Sequence, residues 1–339
     1  MASRPELWAR AAAACGSVDE FARVFDGPAD TLLPQLRPPT ASAVIHGSTQ
    51  ELLDALQNAI SRVVVVGPGT DLDDLEGDAL LQAAALVERP ALFIKDGSFV
   101  APDSRWRVLD RYRAALELAI AAVGRIEYTR RTGEVQLGTG FLIAPNLIMT
   151  NRHVVEDLAR FNGSSWVVKP GLRPRIDFRQ EEMSSAEDQH EIQEVRYVSG
   201  DRDAAVLSIA PFTDDGRASP APVRFSKDVR ARKDRLVAAI GYPDGGKGAE
   251  ATLERAMFAD RFGVKRIQPG RILWSRSPVF AHDCSSTVGS SGSCIVTISN
   301  GSAVGLHYRG VAGVENLAVV LEGVARQAPE LTQSLNPRV

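Results

Sequence analysis

From Arg125 to about Val320 the chain repeats one local pattern, a short apolar stretch followed by a turn. The stretches read "GRIEYTRR", "EVQLGTGFLI", "NLIMT", "WVVKP", "EVRYV", "AAVLSIA", "RLVAAIGYP", "GRILWSRSPVF", "CIVTI", "SAVGLHY" and "LAVVL". Short runs rich in β-branched and aromatic residues, bounded by Gly, Pro, Asn and Asp, form strands. Many such strands at regular spacing restrict this part of the chain to a β-sandwich or barrel.

The residues ahead of it obey a different period. "SRPE" (Ser3, Glu6), "SVDE" (Ser17, Glu20) and "STQE" (Ser48, Glu51) each match the capping box that opens a helix. Apolar residues at helical spacing follow, among them Leu52, Leu53, Leu56 and Ile60. "ALFIKDGSFV" reads as two short strands around Asp96-Gly97, and "SRWRVLDRYRAALELAIAAVGRI" as a helix leading into the β region. A length of 339 residues exceeds one ordinary core. The expected organisation is a mainly α N-terminal domain (1–103), a connecting helix (104–124), an all-β C-terminal domain (125–329) and a tail (330–339).

Composition narrows the partners. A net charge of −3 supplies no field for nucleic acid or a membrane surface. The chain contains no apolar run of 18 residues, so a transmembrane helix is not expected. Glu6 and Arg10 interrupt the place where an export signal needs an apolar core. The cysteines Cys15, Cys284 and Cys294 form neither a CxxC pair nor a metal-ligand spacing, so no metal or other cofactor is expected. An odd, sparse count fits a reducing cytoplasm, and a Cys284–Cys294 bridge stays open. "VVVVGPGT" at 63–70 lacks the lysine and spacing of a phosphate loop and the third glycine of a dinucleotide fingerprint, so it reads as a turn.

The chemistry-bearing residues lie in the β region. His153, one of five histidines, follows two strands that turn at Ala144-Pro145-Asn146 and end at Thr150-Asn151. A histidine just past a strand end projects into a cleft as readily as it caps or faces solvent. In "GDRDAAVLSIA", Asp203 abuts an apolar strand, where a drawn-in carboxylate needs a partner such as a histidine N–H. Asp201, two residues earlier and on the same strand face, is the competing carboxylate. "STVGSSGSC" (286–294) is either a linker or a tight turn exposing one hydroxyl. Gly289 permits the backbone such a turn requires and Gly292 lets the chain leave tightly. That favours Ser291 as nucleophile, with the amides of Gly289 and Ser291 as an oxyanion hole.

Together "GTGFLIAPNLIMTNRHVV", "DAAVLSI", "AIGYP" and "GSSGSCIV" resemble the trypsin-like serine peptidases of bacterial type, over roughly residues 120 to 325. "HDCSSTVGSSGSC" and "AVGLHYRG" are similar to the glutamyl-endopeptidase (V8-like) branch. The resemblance implies a double β-barrel of chymotrypsin type, with His153, Asp203 and Ser291 in the order His…Asp…Ser. His153 would be general base and then acid, oriented by Asp203, with Ser291 attacking the scissile carbonyl of a protein or peptide. Ser286 and His307 match the primary specificity pocket of the glutamyl branch, which implies cleavage after acidic residues. Two departures matter. Cys294 replaces a proline, and Ser290 replaces the aspartate that pairs with a newly cut N-terminus in zymogens, so activation through such an amine is not expected.

A helical module ahead of an intracellular peptidase resembles the bacterial effector-associated domains that couple such enzymes to defence systems. It implies regulation by self-association or a protein partner through residues 1–103. The competing class is a silent peptidase-fold scaffold. Such proteins usually lose a catalytic residue, whereas this chain keeps all three, which favours a serine endopeptidase.

Overall fold

The computed structural model describes residues 55, 58, 59, 61, 62, 89–102, 105–130, 133–225, 232–245, 258, 261–287, 289–311, 315–321 and 324. The chain divides into two compact units: residues 1–91, 101–108 and 245–261, and residues 92–100, 109–244 and 262–339. In the first unit the described residues include helical positions between Ala55 and Arg62, within the helix expected after "STQE", and a 3-10 turn at Arg105–Arg107. The other helices expected before residue 89, the 63–70 stretch and the tail 330–339 lie outside the described residues.

The second unit holds the β-structure. Strands β2 (Val123–Arg130), β3 (Gly133–Ala144), β4 (Leu147–Thr150), β7 (Pro174–Asp177), β8 (Gln189–Val198) and β9 (Ala205–Ile209) close an antiparallel barrel in the order β2-β3-β4-β9-β8-β7. A second barrel contains β10 (Leu236–Gly241), β11 (Arg266–Arg276), β12 (Val279–His282), β13 (Cys294–Thr297), β14 (Ala303–Val311) and β15 (Glu315–Val320). Its order is β11-β10-β13-β14-β15-β12, and β12 pairs back onto β11. The architecture is therefore two six-stranded β-barrels with few helices among the described residues. A short hairpin, β5 (Ala159–Phe161) with β6 (Trp166–Val168), stands outside both.

Local chemistry explains the elements. Asn146 takes φ 61 at the turn between β3 and β4, a conformation asparagine tolerates better than most residues. Asp96 (φ 51) and Gly97 (φ 76) form the expected tight turn, flanked by the Lys95–Ser98 bridge. The second barrel's core is built from inward apolar residues, including Val237, Ile272, Phe280, Cys284, Ile295 and Val304.

Two expectations are corrected in detail. The helix expected over 104–124 breaks at Tyr112 into α1 (Val108–Arg111) and α2 (Arg113–Ala121), and its last residues, from Val123, already belong to β2. Val123 and Gly124 pair with Phe141 and Gly140, so barrel closure overrides the helical period there. The second difference concerns β1 (Leu92–Phe93), which pairs with Ile267 and Arg266 of β11 and so joins the barrel wall although it precedes both helices. Ile94 N–H donates to Lys265 O (3.2 Å), and Gly97 N–H to Glu181 Oε2 (2.8 Å).

A buried ammonium lies beside this strand. Lys265 is fully buried, with Nζ donating to Phe178 O (2.6 Å) and Ile120 O (3.1 Å) and lying 3.6 Å from Glu181 Oε1. Burial lowers its pKa to about 8, and the carboxylates of Glu181 and Asp177 oppose the shift.

Candidate active site

Strand pairing brings the first two predicted residues together. Thr150 of β4 lies opposite Ala205 of β9, so the residues just beyond these two ends are neighbours. After β4 the chain enters the short helix α3 (Arg152–Leu158), which carries His153. Before β9 it turns through residues 200–203, which places Asp203 beside that helix. Asp203 Oδ2 meets His153 Nδ1 at 2.7 Å, and Oδ1 accepts the His153 backbone N–H at 3.0 Å. Asp203 raises the pKa of the half-buried imidazole, chiefly through the hydrogen bond, while burial works against it.

Asp201 takes no part in this pairing. It accepts a hydrogen bond from Ser199 Oγ (2.9 Å), and its side chain is 60% exposed. The reading that put both aspartates on one strand face does not hold, because both precede β9. The turn aims them differently.

The glycine-serine stretch is a tight turn. Gly289 (φ 82) and Gly292 (φ 87) both take the left-handed conformation that favours glycine. A Cβ at Gly292 would sit 1.9 Å from Thr139 O, so no other residue fits without moving β3. The serines separate by environment. Ser290 is buried, accepting from Thr287 N at its hydroxyl (3.2 Å) and donating its own N–H to Thr287 O (3.0 Å). Ser293 is buried at the start of β13. Ser291, between them, is partly exposed.

The amides of the turn also alternate. Ser290, Gly292 and Ser293 donate to Thr287 O, His307 O and Ser290 O. Among the described residues, the N–H groups of Gly289 and Ser291 and the Ser291 hydroxyl have no hydrogen-bond partner. Two unspent amides flanking a free hydroxyl can receive an anionic oxygen.

One residue joins this turn to the first barrel. Thr139 N–H donates to Ser291 O (2.8 Å) and Thr139 Oγ1 to Gly289 O (3.3 Å). The same hydroxyl accepts from Tyr242 N (3.1 Å), and Thr139 O accepts from Thr150 Oγ1 (2.7 Å). Asn151 plays a similar part next to His153, its Nδ2 donating to Asp203 O (2.9 Å). Both residues fall inside motifs visible in the sequence, "GTG" and "TNRH", but the partners that give them meaning are distant in the chain.

His307 is brought to the serine turn by β13–β14 pairing, with its N–H on Ser293 O (3.0 Å). It is buried, and its Nδ1 lies 3.2 Å from Nε2 of His282, a residue not singled out from sequence. Burial, assisted by the nearby His153 charge, lowers the His307 pKa to about 4, and burial holds His282 well below its ordinary value. Both are neutral at pH 7. Ser286 donates to Asn316 Oδ1, and Asn316 Nδ2 donates to Cys284 O (2.6 Å). Cys284 and Cys294 are free, buried thiols, which answers the open question of a bridge.

Comparison with known proteins identifies the family. The trypsin-like peptidase domain family matches residues 138–306. A "Probable serine protease" of Lysobacter enzymogenes is 31% identical over 269 residues, 68% of this chain and 69% of its own length. A glutamyl endopeptidase of Staphylococcus epidermidis is 24% identical over 197 residues, 58% of this chain and 62% of its own. A crystal structure of an M. tuberculosis protease in an inactive form aligns with TM-score 0.41 and 18% identity, covering 64% of this chain and 92% of that one.

Proposed function

We propose that this chain, which belongs to the trypsin-like serine peptidase family and is a serine endopeptidase, acts through a triad of Ser291, His153 and Asp203. The observation that carries the assignment is the two-point contact of Asp203 with His153, at 2.7 and 3.0 Å. His153 takes the Ser291 proton as Oγ attacks the scissile carbonyl, then passes it to the leaving amine. Water hydrolyses the acyl-enzyme by the reverse route. The Gly289 and Ser291 amides receive the tetrahedral oxyanion. The direct test is fluorophosphonate labelling of the full chain and of Ser291→Ala. Labelling that survives the substitution would sink the assignment.

The primary pocket is formed, in this reading, by Ser286 and His307. The likeness to glutamyl endopeptidases, including the S. epidermidis relative, favours a V8-like pocket for a side chain that ends in a carboxyl or carboxamide group. A polar serine-histidine pair beside the serine turn supports a polar residue before the scissile bond.

The proposal extends to the residues ahead of the barrels. Within residues 1–103, the part ahead of β1 is a regulatory or adaptor module of effector-associated type, acting by self-association or through a protein partner in bacterial defence. The two free cysteines support a cytoplasmic setting. Equal labelling of the full chain and of a chain starting at Arg89 would count against regulation by the module.

A further inference from the structure

The Ser286–His307 pair has a defined hydrogen-bond polarity. His282 Nε2 and His307 Nδ1 are 3.2 Å apart, so a single proton lies between them. His282 Nδ1 is buried and, among the described residues, has no partner. If His307 supplied the shared proton, that nitrogen would be an orphaned N–H; if His282 supplies it, only an unfilled lone pair is left. Orphaned buried N–H groups are the rarer and costlier defect. His282 therefore donates, and His307 carries its own proton on Nε2, as a donor.

Ser286 is committed in the opposite sense. Asn316 Nδ2 points at Cys284 O (2.6 Å), which can only accept, so the amide cannot be turned round. Its Oδ1 is left to accept, and Ser286 Oγ donates its one proton there. The β14 backbone closes in on this pair, since a Cβ at Gly310 would lie 2.6 Å from Asn316 Oδ1 and 3.0 Å from Ser286 Oγ. Ser286 has only lone pairs left to offer.

As pocket residues, His307 would offer a donor and Ser286 an acceptor. A carboxylate accepts at both oxygens: one meets the His307 N–H, while the other faces serine lone pairs or must break the Ser286–Asn316 bond. A carboxamide accepts at one end and donates at the other, and satisfies both. We infer that the primary pocket takes an uncharged carboxamide side chain, glutamine or asparagine, in preference to a carboxylate. This rests on the reading of Ser286 and His307 as pocket residues. The neutral state of both histidines at pH 7 is in keeping with it.

The test uses the full chain and tetrapeptide anilides that differ only at the residue before the scissile bond. Expected is kcat/KM for Gln or Asn at least about tenfold above Glu and Asp, as when a site's polar groups are left unpaired by the wrong substrate. Glu equal to or above Gln overturns the inference. In Asn316→Ala the Ser286 hydroxyl is free to donate outward, so the Gln-to-Glu ratio should fall about tenfold, whatever happens to the absolute rate. An unchanged ratio in a variant that still labels with fluorophosphonate overturns the proton assignment. Preference for Lys or Leu overturns the pocket itself. Failure of Ser291 to label in both the full chain and a chain starting at Arg89 overturns the triad on which both depend.

Discussion

Asp203 caps the helix that carries His153. Asn151 occupies the N-cap position of α3 but makes no capping bond with its side chain. Asp203 Oδ1 instead accepts the His153 N–H, the role an N-cap oxygen ordinarily fills. The same carboxylate therefore sets the start of the helix and, through Oδ2, the rotation of the ring. Asn151 is freed to hold the Asp203 backbone from the other side.

Asp203→Asn keeps an oxygen for the cap but can turn an NH₂ toward Nδ1, which favours the wrong tautomer. We expect kcat to fall by about 10⁴, as in the serine-protease template, with the protein still folded by circular dichroism. Asp201→Asn should stay near wild type, since Asp201 is exposed and its carboxylate accepts from Ser199 Oγ, whereas Asp203 makes the contact with His153. Steady-state kinetics on both variants decides it. The reverse pattern would transfer the role to Asp201.

The pH profile follows from the same contact. Asp203 favours the charged imidazole, so the His153 pKa is raised above its ordinary 6.5. Only the neutral ring can accept the Ser291 proton, so kcat/KM should rise with pH through this raised value. In Asp203→Asn the main cause is removed, and an NMR titration of the imidazole should move to lower pH. An unmoved titration would contradict the pairing.

Thr139→Val keeps the shape and removes the hydroxyl that binds Gly289 O and receives Tyr242 N–H. The serine turn loses a tie to the first barrel and a buried N–H is left unpaired, at a cost of about 1–3 kcal/mol. We expect kcat to fall about tenfold with KM little changed, because the tie orients the oxyanion donors and does not touch the substrate's side chains. A change confined to KM would argue against this role.

Lys265→Met should destabilise the protein by about 3–5 kcal/mol, since it leaves Glu181 and two carbonyls without the buried ammonium. The pH signature is separate. The folded pKa of about 8 lies below the ordinary 10.5, so over that window the unfolded chain holds a proton that the folded one gives up. Wild-type stability relative to the variant should therefore rise as pH increases from about 8 to 10.5. Denaturant titrations at both ends measure the difference, and a flat difference would mean that the ammonium is not strained.

A chain starting at Ser104 lacks β1, whereas one starting at Arg89 keeps it. The shorter chain should melt at lower temperature and label more slowly at Ser291, because Ile267 and Arg266 lose their paired edge and Glu181 loses the Gly97 N–H. Calorimetry of both chains tests this. Equal melting temperatures would show that β1 is dispensable.

Much of the second unit was legible in local sequence. Each apolar motif from "GRIEYTRR" to "LAVVL" overlaps a strand, because alternation and turn residues act within a few positions, but "GRILWSRSPVF" is not one strand and turns from β11 into β12 at Ser277-Pro278. The left-handed positions at Asp96 and Asn146 announced themselves by residue type. The strands missed were β5 and β7, one three residues long and one opening on a proline. Thr139, Asn151, His282 and Asn316 were not singled out, since each is defined by a partner brought in by tertiary pairing. Asp203 could not be separated from Asp201 by register, because a turn rather than a strand aims them.

Strand β1 also bears on what a cut in the chain would do. Residues 101–107 fall between it and helix α1, so breaking a peptide bond there would sever covalent continuity without undoing the ladder to β11 or the bond from Gly97 to Glu181. The upstream fragment would stay on as a second, non-covalent chain of the enzyme, and its departure would need a separate peeling step. In this molecule, cleavage and release are two events.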